Sequence, residues 1–154
     1  MNLTDVINNS EFFTDENAET VNYLSLANKA IAIINVECKT LFPRIDSTST
    51  QYTYMPKDWF FSLISPYLSY GVKMNDSSLT EAEMYLDEFY RALNNFKDNL
   101  GSLVSSYDED DTSGDSGISP DLIKDEGFGG VYAIDTSNAV NIGFFGNDGN
   151  GGCW

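Results

Sequence analysis

The sequence has no histidine, and only 8 Lys and Arg residues stand against 24 Asp and Glu. Without histidine there is no Ser–His or Cys–His nucleophile pair, no side chain that ordinarily titrates near neutral pH, and little prospect of a zinc site. The shortage of bases leaves a formal net charge of -16. Holding a nucleic-acid backbone requires clustered Lys and Arg, and docking on an anionic membrane surface requires a polybasic patch; the chain has neither. Cysteine is scarce too. Cys38 and Cys153 are too few for a four-cysteine metal site and far apart in sequence, so they read as free thiols of a reducing compartment. No apolar run approaches the roughly 20 residues of a membrane span. The opening MNLTDVINNSEFF has no basic region followed by an apolar stretch, so no signal peptide is expected. Neither the G-x-x-x-x-G-K-[ST] phosphate loop nor the G-x-G-x-x-G fingerprint occurs. These absences together argue for a protein that is not an enzyme and takes no cofactor.

What is present is mainly helical patterning. Leu3, Val6 and Ile7 share one face of a short helix over 3–9. Thr14 or Asp15 can cap a longer helix that runs to about Leu41 and ends at Pro43. Its acidic start (Asp15, Glu16, Glu19) suits the positive helix end, and Val21, Leu24, Ala27, Ile31, Ile34, Cys38 and Leu41 recur at steps of three and four. Residues 45–55 read as a loop leading into a short extended segment, with Tyr52 and Tyr54 alternating. Pro56 fits the first turn of a third helix, which points Trp59, Leu63 and Ile64 at a core and is expected to kink or break at Pro66.

The strongest pattern follows. Ser78 and Glu81 form an S-x-x-E capping box, after which Leu79, Ala82, Leu86, Phe89, Leu93, Phe96 and Leu100 recur as a strict heptad seam. Gly101 can close this helix in the left-handed conformation. The seam is expected to pack on the Val21–Leu41 helix within one subunit. The fold class is therefore mainly α, a small antiparallel helical bundle over 1–104.

Charge then divides the chain. Residues 1–100 hold 14 acids and 7 bases, whereas residues 101–154 hold 10 acids and 1 base. Residues 105–121 are rich in Ser, Gly and Asp and nearly free of apolar groups, so 105–126 reads as a flexible acidic linker. Asp108, Asp110 and Thr112 suggest a calcium loop, but Ser113 falls where that loop needs glycine and Ser119 where it needs glutamate. Only loose, weak cation binding by Asp108–Asp111 is compatible with the spacing. Residues 127–154 turn apolar again, as an extended, β-prone arm. Val131, Tyr132, Ile134, Val140, Ile142, Phe144, Phe145 and Trp154 are its candidate partner-binding residues. So small a set of apolar groups does not offset the backbone entropy of ordering the arm alone, whereas strand addition to another chain supplies the missing hydrogen bonds.

The stretch from Tyr52 to Leu100 resembles the small head–tail connector, or adaptor, proteins of tailed bacteriophages. The features that carry this are the Tyr52–Pro56 segment, the aromatic helix from Trp59, the Lys73–Asp76 turn, and the acidic helix with Ala82, Tyr85 and Phe89. They cover about a third of the chain and form a pattern of residue types. The resemblance implies a virion protein of the neck, assembled in the host cytoplasm, that rings the channel below the portal, usually as a dodecamer. Its expected partners are the portal protein, neighbouring copies of itself, and a tail or stopper protein. DNA would pass through the acidic channel without specific binding, and no membrane is involved. Self-repulsion at this charge predicts a monomer or small oligomer in dilute solution, with the ring forming on the portal.

Three other readings compete. A stopper, tail-completion protein or assembly chaperone would share most of these features. An acidic decoy that imitates DNA would need its charges fixed on a rigid surface. A small hydrolase would need a converging, buried carboxylate pair. Lys57, Lys73 and Arg91 are among the few bases of the helical domain, and solvation is the expected state of each.

Overall fold

The structure is a computed structural model that describes residues 1–10 and 21–124. Four helices make up most of it: α1 (Leu3–Asn9), α2 (Tyr23–Cys38), α3 (Lys57–Asn75) and α4 (Leu79–Ser105). The protein is mainly helical, and residues Met1–Leu122 form one compact unit. The arm residues Val131, Tyr132, Ile134, Val140, Ile142, Phe144, Phe145 and Trp154 lie outside the described residues, as do Thr14, Asp15, Glu16 and Glu19.

α3 is the central helix, in contact with each of the other three. Its sequence explains this. Phe60, Leu63, Ile64, Pro66, Tyr67, Leu68 and Val72 are all buried, so its apolar sector is wide enough to face several neighbours at once. The α4 seam therefore packs chiefly on α3 and only marginally on α2, contrary to the expected pairing with the Val21–Leu41 helix. A three-residue turn joins α3 to α4 and makes them an antiparallel hairpin, the shortest route to a partner for the seam. Ala82, Phe89, Leu93, Phe96 and Leu100 are buried in that contact, Leu86 is half-buried, and Leu79 stands 61% exposed.

Aromatic rings fill the hairpin core. Phe96 meets Trp59 edge-on at 5.3 Å, Phe89 meets Tyr67 edge-on at 5.0 Å, and Tyr52 stacks on Phe60 at 4.8 Å. α3 does not end at Pro66, which is buried within a continuous helix. Ile64, Tyr67 and Leu68, beside it in sequence, are buried as well, and that burial offsets the hydrogen bond proline cannot make.

Several helix ends differ from expectation. α1 begins with a capping box, in which the Asn2 side chain accepts from the Asp5 N–H and the Asp5 carboxylate accepts from the Asn2 N–H. The box expected at Ser78 and Glu81 does not form. The Ser78 side chain makes no cap bond, and Glu81 instead reaches back across the turn to Lys73 at 2.9 Å. Gly101 lies inside α4, which continues to Ser105 because Leu103 and Val104 extend the apolar sector by one turn.

α2 stops at Cys38, not at Pro43, with Lys39 in the left-handed conformation at φ 54°. Leu41 consequently leaves the apolar face and is exposed. The cause is Asn35. Its Oδ1 accepts from the Phe42 N–H and the Thr40 hydroxyl, and its Nδ2 donates to the Phe42 carbonyl. One heptad earlier, Asn28 clasps Ile45 in the same way, accepting from its N–H at 2.8 Å and donating to its carbonyl at 2.9 Å. Two asparagines on one face of α2 thus serve an extended segment as a neighbouring strand would. With residues 42–45 pinned, Phe42 and Ile45 become core residues.

The segment after them forms no regular strand among the described residues. Asn2 and Gln51 make one isolated antiparallel bridge, supported by the Tyr52 N–H donating to the Met1 carbonyl. Tyr52 is buried, and its hydroxyl donates to the Pro43 carbonyl.

Residues 106–122 depart most from expectation. The acid-rich stretch 105–126 reads as a flexible linker, yet its described part up to Leu122 is laid against the helices. Ile118 is fully buried, and its N–H donates to the Leu103 carbonyl near the end of α4. The Leu41 N–H donates to the Leu122 carbonyl. Gly114 and Gly117 adopt φ of +71° and +146°, conformations that favour glycine. At Gly117 a β-carbon would strike the Leu103 carbonyl and the Tyr107 backbone. Composition averages over the stretch, whereas a few placed residues, Ile118, Gly114 and Gly117 among them, seat it.

Candidate functional site

Two clefts on the Met1–Leu122 unit are the candidate functional surfaces. The first lies on the α3–α4 hairpin, where Lys73, Glu81, Met84, Tyr85, Asp87, Glu88 and Arg91 line an open hollow of about 720 Å³. Both signs of charge are present, and Lys73 is held by Glu81. Met84 is 66% exposed here, and Met74, Leu79 and Tyr90 are further exposed apolar groups of the same hairpin. Water-facing methionine and leucine side chains gain free energy when another surface covers them. In the hairpin turn, Asp76 has both carboxylate oxygens buried without a hydrogen-bond partner.

The second cleft, of about 520 Å³, lies between Thr53–Tyr54 and residues 107–122. Tyr54 and Tyr107 present half-exposed rings to it, and Asp111 and Asp121 are the charged groups in its lining. Asp111 organises the loop. Its Oδ1 accepts from the Ser113 N–H and hydroxyl, and its Oδ2 from the Ser116 N–H. These bonds, led by the Ser113 hydroxyl, lower its pKa to about 2. Asp115 pairs with Lys57 at 2.9 Å, a hydrogen bond that holds its carboxyl below the usual range and raises the lysine. Lys57 and Lys73 are thus paired within the chain, where solvation was the expected state of each.

Two carboxylates of the loop, those of Asp108 and Asp111, turn toward the loop backbone. Asp108 accepts from the Asp110 N–H, as Asp111 does from Ser113 and Ser116. Among the described residues no group of three or more His, Cys, Asp or Glu side chains is placed to hold a metal ion. Cys38 is a free, buried thiol whose pKa burial pushes up to about 11, the reverse of an activated nucleophile. Among the described residues, no helix is long and apolar enough to cross a membrane.

Of the sequence-derived site residues, α4 brings Ala82, Phe89, Leu93, Phe96 and Leu100 together as a packing seam, whereas Leu79 falls outside it. The second cleft escaped the sequence reading because its walls lie in the supposed linker. The signal for it was Ile118, a large apolar residue in a polar stretch, next to Gly117.

The fold and these surfaces define a small acidic helical protein with two open clefts. Comparison with protein-family models, curated proteins and solved structures finds no match to the chain.

Proposed function

We propose that the chain is a structural connector of a phage virion, placed between portal and tail, with no catalytic role. The observation that carries this reading is the α3–α4 hairpin. The segment that resembles the adaptor proteins coincides with one antiparallel unit sharing an aromatic core. That hairpin leaves Met74, Leu79, Met84 and Tyr90 uncovered, as a subunit that packs against copies of itself would. The apolar arm is the proposed attachment to the portal or to a neighbouring subunit. A net charge of -16 per copy opposes assembly of the free chain and favours assembly on a template.

The test is capture of the cognate portal by the full chain and by a version ending at Lys124, which keeps the Ile118 anchor and the Leu122 contact. Binding by the full chain alone assigns attachment to the arm. Equal binding assigns it to the helical unit. Failure of both refutes the portal assignment, and a stable free dodecamer in sedimentation refutes templated assembly.

One observation favours a second reading, an acidic imitation of DNA. Such a decoy needs fixed charges, and Asp111 and Asp115 are held in place by hydrogen bonds. Competition with duplex DNA for a nuclease or polymerase of the host separates it from the connector.

A further inference from the structure

The geometry points to the cleft between Thr53–Tyr54 and the 107–122 loop as a receptor for an arginine side chain on a basic segment of a partner protein. The first ground is shape. Tyr54 and Tyr107, residues 44% and 36% exposed, line one hollow large enough for a long side chain, and an edge contact with Tyr52 at 5.2 Å fixes the Tyr54 ring. Half-exposed aromatic faces attract a guanidinium through their quadrupole, and arginine stacks on them more readily than lysine does.

The second ground is charge. Asp111 and Asp121 line the cleft and no Lys or Arg does. Asp111 keeps its charge because three loop donors hold the anion. Asp121 is exposed and makes no hydrogen bond or ion pair within the described residues, so its carboxylate is free to take a planar two-pronged donor. Of the bases near it in sequence, Lys57 is committed to Asp115, and Lys124 is not part of the lining.

The third ground is preorganisation. The loop wall is anchored by Ile118 and fits closely at Gly114 and Gly117, where a β-carbon would strike Thr53 and Leu103, so the wall exists before a ligand arrives. Complementary charge selects a basic occupant over a neutral or acidic one.

The experiment is a titration of the ¹⁵N-labelled full chain with the peptide acetyl-Gly-Arg-Gly-amide at neutral pH and physiological salt, followed by amide shifts. A matched peptide carries citrulline, which keeps the shape and removes the charge. Saturable shifts confined to Thr53, Tyr54, Gly114, Gly117 and their neighbours are expected, and the citrulline peptide should produce none. Tyr107→Leu keeps bulk but removes a ring face, and should weaken binding by about two- to five-fold. Asp121→Asn should weaken it comparably while leaving the fold intact, since that carboxylate bonds to nothing in the described residues. Equal shifts with citrulline, shifts spread over the acidic face of α4, or unaltered affinity in Asp121→Asn would each overturn the assignment.

Discussion

Replacing Asn35 with alanine tests how α2 recruits the chain that follows it. The side chain makes three hydrogen bonds, to the Phe42 N–H, the Phe42 carbonyl and the Thr40 hydroxyl, all between 2.8 and 2.9 Å. Phe42 and Thr40 are buried, so their polar groups find no ready replacement in water. Three such bonds contribute about 1.5–4.5 kcal/mol at 0.5–1.5 kcal/mol each. Alanine recovers about 0.5 kcal/mol through its higher helix propensity. The expected net loss is therefore about 1–4 kcal/mol, a large share of the 5–15 kcal/mol typical of a domain.

Asn28→Ala removes two bonds to Ile45 and should cost less, about 0.5–2.5 kcal/mol by the same reasoning. Urea unfolding followed by far-ultraviolet circular dichroism measures both. The midpoint should fall while the slope stays constant, since the surface exposed on unfolding is unchanged. The two sites share no partner, so the double variant should lose the sum of the single losses to within about 0.5 kcal/mol. A loss below about 0.5 kcal/mol in Asn35→Ala, the range of an ordinary surface substitution, would refute the clasp as a fold determinant.

Three further outcomes follow from the loop and the core. Gly117→Ala should detach residues 107–118 from the end of α4, because its β-carbon would strike the Leu103 carbonyl; proteolysis within 108–117 should accelerate, and an unchanged cleavage pattern would contradict the packing. The Asp111 clasp has a definite pH dependence. Its folded pKa of about 2 lies below the ordinary 3.8, so its stabilising contribution is present above pH 3.8 and is lost as pH falls through about 2. Amide shifts of Ser113 and Ser116 should accordingly hold from neutral pH to below 3.8, and loss of those shifts well above 3.8 would speak against the clasp. Finally, Cys38 should resist iodoacetamide at neutral pH in the folded protein and react once urea unfolds it; rapid native labelling in a peptide map would contradict its burial.

The helices were legible because periodicity reports burial directly. Leu3, Val6 and Ile7, and the seam from Ala82 to Leu100, appear as buried faces because each element spans whole turns of one pattern. Pairing was not legible. The Phe89–Leu100 seam carries no mark of whether it meets α2 or α3, and the short turn at Asp76–Ser78 decides it. Polar side chains were legible least, since their role depends on where the backbone happens to be. Asn28 and Asn35 look like helix-neutral residues, and only the returning chain gives them partners.

The same logic governs the second cleft. Asp, Ser and Gly at 108–117 carry the composition of a solvated linker, and by number they outweigh Ile118. Folding does not average over a segment, however. One buried isoleucine together with donors that hold an ionised aspartate can fix a loop that apolar content alone would leave loose. Such a loop displays charges at defined positions, and that distinguishes a surface able to choose a partner from a merely acidic one. If the arginine peptide finds Tyr54 and Tyr107, the acidity of this chain is in part an address. If it binds everywhere or nowhere, the charge acts only in bulk, as repulsion of other acidic surfaces.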